Sequence, residues 1–410
     1  MKKKYKLFEL FSGIGAQARS LEKISSIQGF RFSLEGTCEW DVHAILAYYL
    51  IHKKHLPNFS GKIPSIEKIK SFLVSMGVSY NGKNPMTITQ INLLTEKLLK
   101  DLYIAIKSTN NYVNIKKLKG SQIPDEIDIM TYSFPCQDLS SVGAFHGFKN
   151  GIDKNANTRS GLLWEVERLL FEMKDEGKKL PRFLIMENVA TLYAPRHKDN
   201  FEEWKKILEK FGYLNFDKIY LASDFGVPQT RKRVIMLSVL GSNDKSKILN
   251  FLKEEFNNFK TPLIPLDNYI SFDNYNLLDE KLQAQPNDTP SRVKIWNENN
   301  QIYTSRGEKS NQINTITTKQ DRHPNSGNIF FDYEGNKKSK FRFLTARETM
   351  LLMGFENPDY EVLKNSNYMT KHGANFFGRD VIYKLSGNSI VVEMLNFVIQ
   401  SLNKLDKELL

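Results

Sequence analysis

Cysteine and long apolar runs are the features that this sequence has least of. Only two cysteines, Cys38 and Cys136, occur among 410 residues. So few cysteines exclude a disulfide framework and suit a reducing compartment. No apolar run is long enough to cross a membrane, and the apolar part of the basic N-terminus is interrupted by Lys6 and Glu9. We therefore expect a cytoplasmic protein whose first segment is a β-strand and not a signal peptide.

Acidic residues are outnumbered by basic ones. The chain contains 58 Lys and Arg but 46 Asp and Glu, so its formal net charge is +12. This charge favours a polyanionic partner such as nucleic acid, although a generic basic surface would give the same balance. The composition, 40% hydrophobic and 25% charged, is that of an ordinary globular protein, and the length allows two domains.

Strand-like and helix-like segments alternate along much of the chain. "YKLFEL", "FSLEGTC", "EIDIMTYSF", "PRFLIMENV" and "RVIMLSVLG" have the pattern of buried strands. Their alternation with helices predicts an α/β fold with a doubly wound, mostly parallel sheet. In such a sheet, ligands bind at the carboxyl ends of the strands. Polar or glycine-containing motifs stand at these ends: Gly13 to Gly15, Glu39, Pro135 to Gln137, and Glu187 to Val189.

Changes in composition divide the chain into three parts. Residues 1–240 form the expected large domain, with a Lys-rich helical insertion at about 52–119. Residues 241–340 are polar with weak periodicity, which is typical of a smaller, loop-rich domain with contact surfaces. Residues 341–410 return to a helical pattern, and we expect them to rejoin the large domain.

Cys136 is a candidate nucleophile because it stands in a polar loop directly after a strand. The alternative is a small buried hydrophobic residue, which is the more common role of a single cysteine. Glu187 ends a neighbouring strand, and Glu39 follows the glycine turn at the spacing used to bind a ribose. Together these residues suggest covalent catalysis coupled to group transfer.

Eight short motifs, in order along most of the chain, resemble those of DNA (cytosine-5-)-methyltransferases. They are "FELFSGIG", "CEWD", "SFPCQDLS", "TRSGLLWEV", "MENV", "QTRKR", "RFLTARETMLLMGF" and "GNSI". The resemblance implies a Rossmann-like methyltransferase that depends on S-adenosylmethionine. It also implies that residues 241–340 are a target recognition domain for double-stranded DNA.

The resemblance implies the following catalytic roles. The thiolate of Cys136 attacks carbon 6 of cytosine, which activates carbon 5 as a nucleophile. Glu187 binds the base and protonates nitrogen 3, and Arg233 donates to the base carbonyl oxygen. Arg231 supports Glu187 or binds a phosphate. The target base must leave the duplex to be reached.

The resemblance also implies a cofactor site. Phe11, Gly13 and Gly15 form the turn under the methionine part, Glu39 accepts from the ribose hydroxyls, and Trp40 packs on the adenine. In "YVNIKKLKG", an asparagine replaces the aspartate that often reads the adenine amino group. The remaining implied cofactor residues are this asparagine, Asn114, together with Pro135, Leu162, Asn388 and Ser389.

DNA contacts are implied at Gln137, Ser140, Arg233 and Thr317. The last lies in "INTITTKQDRHPNSGN", which resembles the Thr-rich segment near the end of the recognition domain. We expect a monomer that recognises a short DNA sequence near the nucleoid. A cognate restriction endonuclease that acts independently is compatible with this expectation.

Three other functions fit the sequence less well. A transfer RNA cytosine-5 methyltransferase shares the motifs but usually lacks a sizeable recognition domain. A catalytically inactive DNA-binding relative would be expected to lack Cys136 or Glu187. A nicotinamide oxidoreductase does not need the Pro-Cys-Gln and Glu-Asn-Val motifs, and the turn here lacks the third glycine. The histidines at 43, 52 and 55 lack the cysteine or carboxylate spacing of a metal site, so we expect none there.

Overall fold

The computed structural model describes residues 3–135, 139, 152, 160–241, 244–257, 259–273, 275–333 and 338–409. The chain forms two compact units. Unit 1 consists of Met1–Tyr220, Lys232–Asn258 and Asn396–Leu410, and unit 2 consists of Leu221–Arg231 and Phe259–Leu395.

Unit 1 is built on a six-stranded sheet with the order β2-β1-β3-β4-β6-β5. Strand β1 pairs in parallel with β2 and β3, and β3 pairs in parallel with β4, whereas β6 runs antiparallel to β4. The expected α/β fold with a mostly parallel sheet is therefore confirmed. The strands are β1 (Lys4–Leu10), β2 (Arg31–Cys38), β3 (Ile129–Tyr132), β4 (Phe183–Val189), β5 (Tyr213–Leu221) and β6 (Lys232–Leu240).

Helices follow the strands of unit 1 and cover its sheet. They are α1 (Ala16–Gln28), α2 (Val42–His52), α3 (Ile66–Met76), α4 (Ile88–Ile91), α5 (Glu96–Ser108), α6 (Leu163–Asp175), α7 (Pro195–Lys210) and α8 (Lys245–Asn257). Helices α3, α4 and α5 lie in the Lys-rich segment at 52–119. None of the helices in the described part of the chain has the length and apolar character needed to span a membrane.

The central strands owe their position to their nearly continuous apolar sequence. Phe8, Met130, Leu184 and Met236, from four adjacent strands, are fully buried in one core cluster. Such runs are typical of strands that are covered on both faces. The indole nitrogen of Trp204, on α7, donates to the Tyr132 hydroxyl at 3.1 Å, so its one polar group is satisfied within this core.

Unit 2 contains a small three-stranded sheet and short helices. The sheet has the order β7-β8-β9, with β7 (Gln301–Tyr303), β8 (Asn328–Phe330) and β9 (Phe341–Arg342). The helices are α9 (Leu278–Ala284), α10 (Pro290–Glu298), α11 (Ala346–Leu351), α12 (Asn357–Lys364) and α13 (Arg379–Asn388). A last helix, α14 (Val392–Glu408), follows.

The grouping of the C-terminal residues differs from the boundaries that composition suggested. Residues 341–395 belong to unit 2, and of the expected returning segment only 396–410 belong to unit 1. Within unit 1, the Tyr5 hydroxyl donates to Asp406 at 2.7 Å and to Asn403 at 3.2 Å. These bonds tie the end of α14 to β1. Composition could not reveal this division, because the helices of 341–395 and the end of α14 have similar apolar patterns.

Candidate active site

The glycine turn after β1 has a backbone that requires glycine. Gly13 and Gly15 have φ angles of 55° and 81°, in the left-handed region that L side chains rarely adopt. A Cβ on Gly15 would overlap Nε2 of His52 and lie 2.7 Å from Cε2 of Tyr48. Phe11, also at a positive φ of 57°, packs against the main core cluster. The turn is therefore closely packed at Gly15.

Glu39, at the end of β2, holds this turn through its carboxylate. It accepts hydrogen bonds from the backbone N–H groups of Gly13 at 3.0 Å and of Trp40 and Asp41 at 2.9 Å. Burial, followed by the charge of Asp41, raises the pKa of Glu39 to about 7, against the opposing effect of these three bonds. The structure thus brings together the predicted turn and the predicted ribose acid.

Asn111 is a residue at this site that the sequence analysis missed. Its Oδ1 accepts from the Glu39 N–H and its Nδ2 donates to the Glu39 carbonyl oxygen, both at 3.0 Å. The same Oδ1 accepts from the N–H of Val113, which has a φ of 62°. The amide therefore fixes the backbone of Glu39. Nothing in the local sequence distinguishes Asn111 from the other polar residues around it.

Two of the residues expected around the adenine, Trp40 and Asn114, follow the segments that the Glu39–Asn111 bonds join. Asn114 follows the segment that Asn111 anchors, and its Oδ1 accepts from the Lys116 N–H at 3.0 Å. The Trp40 carbonyl oxygen accepts from the Ser79 N–H at 2.7 Å. Leu162, directly before α6, packs against the same core cluster as Phe11. The contacts of these residues with a cofactor stay predictions.

The predicted nucleophile Cys136 and the predicted DNA contacts Gln137 and Ser140 lie outside the described residues. The chain on either side of Cys136 is held by the segment that ends β4. Asn188 Nδ2 donates to the Phe134 carbonyl oxygen at 3.1 Å. Thr191 Oγ1 donates to the Leu139 carbonyl oxygen at 2.7 Å.

Asn188 is a second residue that the sequence analysis passed over. It is 2% exposed, and through Phe134 it holds the backbone just before Pro135, which is itself half-buried. Its position inside the Glu-Asn-Val motif was a signal that could have marked it.

Glu187 and Arg233 form an ion pair at the end of β4. Arg233 Nε lies 2.9 Å from Glu187 Oε1, and both side chains are nearly buried. The antiparallel register explains the pair, because Arg233 stands opposite Val189 and Glu187 opposite Ile235. Residues two positions apart project from the same face of a strand, so the two side chains are diagonal neighbours.

Arg231 binds backbone carbonyl oxygens of unit 2. Its guanidinium donates to the carbonyl oxygens of Ile316 at 2.9 Å, Gly387 at 3.2 Å and Ser389 at 2.7 Å, all within unit 2. The residue is only 2% exposed. Arginine has five donors in a fixed fork and so can satisfy several buried carbonyl groups. These bonds give Arg231 a structural role within unit 2, and its expected catalytic role stays a prediction.

The Gly-Asn-Ser motif and the Thr-rich segment meet around this arginine in unit 2. A Cβ on Gly387 would lie 2.5 Å from the carbonyl carbon of Thr317, so only glycine allows this approach. Thr317 Oγ1 donates to the Lys319 carbonyl oxygen at 2.7 Å. Asn388 is exposed at the end of α13, whereas Ser389 is buried.

The two histidines of α2 contact different carboxylates. His43 Nδ1 lies 3.2 Å from Asp41 Oδ1, and His52 Nδ1 lies 2.7 Å from Glu22 Oε1. Within the described part of the chain, no cluster of three or more His, Cys, Asp and Glu residues could hold a metal ion.

The chain is similar to known proteins over nearly its whole length. Residues 74–404 match the family model of the C-5 cytosine-specific DNA methylases. The chain is 31% identical to the orphan methyltransferase M.SssI of Spiroplasma monobiae over 98% of this chain and 97% of that protein. It is 30% identical to the type II methyltransferase M2.ScrFI of Lactococcus lactis subsp. cremoris over 97% of this chain and 99% of that protein. The chain belongs to the C-5 cytosine-specific DNA methylase family.

Solved structures show the same fold at low sequence identity. The S. pombe Dnmt2 methyltransferase has a TM-score of 0.59 and 16% identity, and the alignment covers 98% of this chain and 99% of that one. The Entamoeba histolytica methyltransferase EhMeth has a TM-score of 0.58 and 16% identity, with 99% of each chain covered. At this identity the likeness concerns the fold alone.

Proposed function

We propose that this member of the family methylates carbon 5 of a cytosine in double-stranded DNA, with S-adenosylmethionine as methyl donor and Cys136 as covalent nucleophile. The observation that carries the proposal is the Glu187–Arg233 ion pair, 2.9 Å across, at the end of β4. It combines a carboxyl group and a guanidinium beside the strand that leads to Cys136. A cytosine offers complementary groups, because its nitrogen 3 and amino group suit a carboxyl and its carbonyl oxygen suits a guanidinium.

The proposed chemistry begins with the base, because carbon 5 of cytosine is a weak nucleophile. The Cys136 thiolate adds to carbon 6 while Glu187 gives a proton to nitrogen 3, and the ring becomes an enamine. Arg233 stabilises the carbonyl oxygen as charge develops. When bound, S-adenosylmethionine supplies an electrophilic methyl group and departs as a neutral thioether. Transfer of the carbon-5 proton to water and return of the nitrogen-3 proton to Glu187 then restore the ring double bond and expel the Cys136 thiolate.

The Glu39 carboxylate, at the end of β2, suits hydrogen bonds from the ribose of the proposed methyl donor. A ribose presents two hydroxyl donors, and the Glu39 carboxylate beside the glycine turn provides acceptor oxygens. Asn111 keeps that carboxylate in place through the backbone of Glu39. We assign the adenine to Trp40 and Asn114, and the further contacts to Phe11, Pro135, Leu162, Asn388 and Ser389.

The proposed substrate is a duplex from which the target cytosine is flipped out. We assign recognition of a short sequence to residues 241–340, including Thr317, and contacts near the flipped base to Gln137, Ser140 and Arg233. The net charge of +12 supports a polyanionic substrate. We place the enzyme at the nucleoid as a monomer, with any cognate restriction endonuclease acting separately.

The test is bisulfite sequencing of plasmid DNA from a methylation-free host that expresses the protein. We expect protected cytosines in one short recurring context with the wild type and none with Cys136→Ser at equal soluble expression. Protection by Cys136→Ser would remove Cys136 from the mechanism. No protection by the soluble wild type would contradict the proposal. Methyl transfer to transfer RNA would then be assayed, because that substrate is the alternative for the same motifs.

A further inference from the structure

His52, the last residue of α2, contacts the glycine turn. It is 1% exposed, and its two ring nitrogens face different partners. Nδ1 lies 2.7 Å from Oε1 of Glu22 on α1, and Nε2 lies 3.1 Å from the carbonyl oxygen of Ile14 in the turn. The ring therefore connects a helix to the segment proposed to bind the cofactor.

Both partners of the ring are hydrogen-bond acceptors. A backbone carbonyl oxygen can only accept, and so can an ionised carboxylate. Burial works to raise the pKa of Glu22, but the hydrogen bond and charge of His52, with the charges of His55 and Arg19, lower it below its ordinary value. Neutral imidazole carries one N–H and can serve only one of two acceptors. Both bonds form together only when both ring nitrogens carry protons.

The charges around the ring favour the same state. On α1, Arg19 lies 3.0 Å from Glu22. From β1, the fully buried Glu9 accepts a hydrogen bond from the Tyr48 hydroxyl, and burial raises the pKa of Glu9 to about 7. When both are ionised, Glu9 and Glu22 carry two negative charges beside the single positive charge of Arg19, and an imidazolium at His52 balances the charge of this buried group.

Tyr48 and His55 also lie near the ring. The Tyr48 ring lies 4.6 Å from the His52 ring, centroid to centroid, and burial raises the pKa of Tyr48 well above its ordinary value. Tyr48 therefore stays neutral. His55 is half exposed and lies 3.9 Å from the same oxygen of Glu22, so it offers a matched control for charge near that carboxylate.

We propose that His52, with protons on both ring nitrogens, is a positioning residue that holds the glycine turn in its cofactor-binding conformation. The ring fills the space that Gly15 leaves, and it fixes the Ile14 carbonyl. Loss of one ring proton leaves either Ile14 or Glu22 facing a lone pair inside the protein, which is unfavourable. The effect on the cofactor rests on the function proposed above, whereas the protonation of His52 does not.

Glu22→Gln removes the negative charge beside His52 and keeps nearly the same side-chain shape. An amide can donate to Nδ1, so the ring can become neutral and still donate from Nε2 to Ile14. We therefore expect this variant to bind S-adenosylmethionine as the wild type does at neutral pH.

The direct test is two-bond proton–nitrogen NMR on the full chain with labelled histidine and no cofactor. The histidine signal that disappears in His52→Phe belongs to His52. The same signal should be unchanged in His55→Gln. We expect two protonated nitrogens in the wild type at neutral pH and one in Glu22→Gln. A neutral His52 ring in the wild type would overturn the proposal, whether or not the protein methylates DNA.

Binding and kinetics test the consequence for the cofactor. His52→Phe should raise the Kd and KM for S-adenosylmethionine roughly tenfold, the equivalent of one hydrogen bond to a charged group. Its kcat should change less than about twofold, because His52 is remote from the reacting base. An unchanged Kd in a folded His52→Phe protein would overturn the positioning role. A wild type that binds no S-adenosylmethionine would instead refute the proposed function and leave the NMR result to stand alone.

Discussion

At the scale of single residues, two carboxylates at strand ends carry most of the proposed chemistry, and their surroundings differ. Glu187 is paired with Arg233 at 2.9 Å. Glu39 is held by three backbone N–H groups and has a pKa raised to about 7. A guanidinium and a set of peptide groups give these two carboxylates distinct environments, which suits separate roles toward the base and the ribose.

We expect Glu187→Gln to lower kcat by roughly 10²- to 10⁴-fold, the usual contribution of a general acid. DNA affinity should stay nearly unchanged, because an amide of the same shape replaces the carboxyl group. Tritiated methyl transfer measures the rate, and an electrophoretic mobility shift measures DNA binding. Glu203→Gln, at an exposed position of α7, is the matched control. Turnover at the wild-type rate would exclude the proposed role of Glu187.

The raised pKa of Glu39 predicts a pH dependence of cofactor binding. Between its ordinary pKa and about 7, the folded protein takes up a proton at Glu39 that the unfolded chain does not. The free energy of unfolding therefore rises as the pH falls through this range, while the ionised acceptor that suits ribose hydroxyls is lost. We expect the Kd for S-adenosylmethionine to be roughly tenfold higher at pH 6 than at pH 8.

Isothermal titration calorimetry in two buffers with different ionisation enthalpies measures this effect. Cofactor binding should release a proton near pH 6.5. Glu39→Gln cannot titrate, so its binding should be weaker and should lack this proton release. Equal proton release by the wild type and Glu39→Gln would show that another group is responsible.

At the scale of elements, the start of the antiparallel strand β6 places two arginines, only two residues apart, in different surroundings. Arg233 lies within β6, opposite Val189, and points to Glu187. Arg231 stands just before β6 and binds three carbonyl groups of unit 2. The same "QTRKR" motif thus supplies one arginine to the proposed active site and one to the interior of unit 2.

We expect Arg231→Lys and Arg233→Lys to fail in different ways. Arg231→Lys should lower the free energy of unfolding by about 2 kcal/mol or more, because a lysine cannot satisfy all three buried carbonyls in the same geometry. Hydrogen exchange should accelerate around Ile316 and Gly387. Arg233→Lys should lower stability less than Arg231→Lys does, because a lysine can still pair with Glu187, but it should lower kcat, because it loses the donor fork beside the base.

Urea unfolding, hydrogen exchange and methyl transfer distinguish these outcomes, and Lys232→Ala serves as the exposed control between the two positions. If Arg231→Lys kept full stability and lost only activity, the structural role inferred for Arg231 would be wrong.

At the scale of the whole molecule, the excess of basic residues governs the proposed interaction with DNA. A net charge of +12 attracts the phosphate backbone without regard to sequence. Sequence is then read by contacts to base edges, which charge alone cannot provide.

DNA affinity should therefore fall steeply with salt. We expect a loss of at least about 100-fold between 50 and 200 mM KCl, with a linear dependence of log K on log salt, because bound cations are released from the phosphates. Fluorescence anisotropy with a labelled duplex measures the affinity. The Kd for S-adenosylmethionine under the same conditions is the control and should change little. A flat response of DNA affinity would contradict a basic DNA-binding surface.

The sequence by itself determined the fold class, the family and the strand-end residues Gly13, Gly15, Glu39 and Glu187, because these depend on patterns within short stretches of chain. Apolar runs predict strands, and a glycine turn or a carboxylate at a strand end is visible without knowledge of distant residues. The order of the motifs was sufficient to identify the family, which the comparisons confirm.

Only the tertiary structure decided which residues hold these motifs in place. The amide of Asn111 reaches Glu39 across 72 positions, that of Asn188 reaches Phe134 across 54, and Arg231 reaches Gly387 across 156. The local sequence does not show which distant groups these side chains reach, because the fold alone brings the partners within reach. The same reason hid the structural role of Arg231 and the two acceptors around His52.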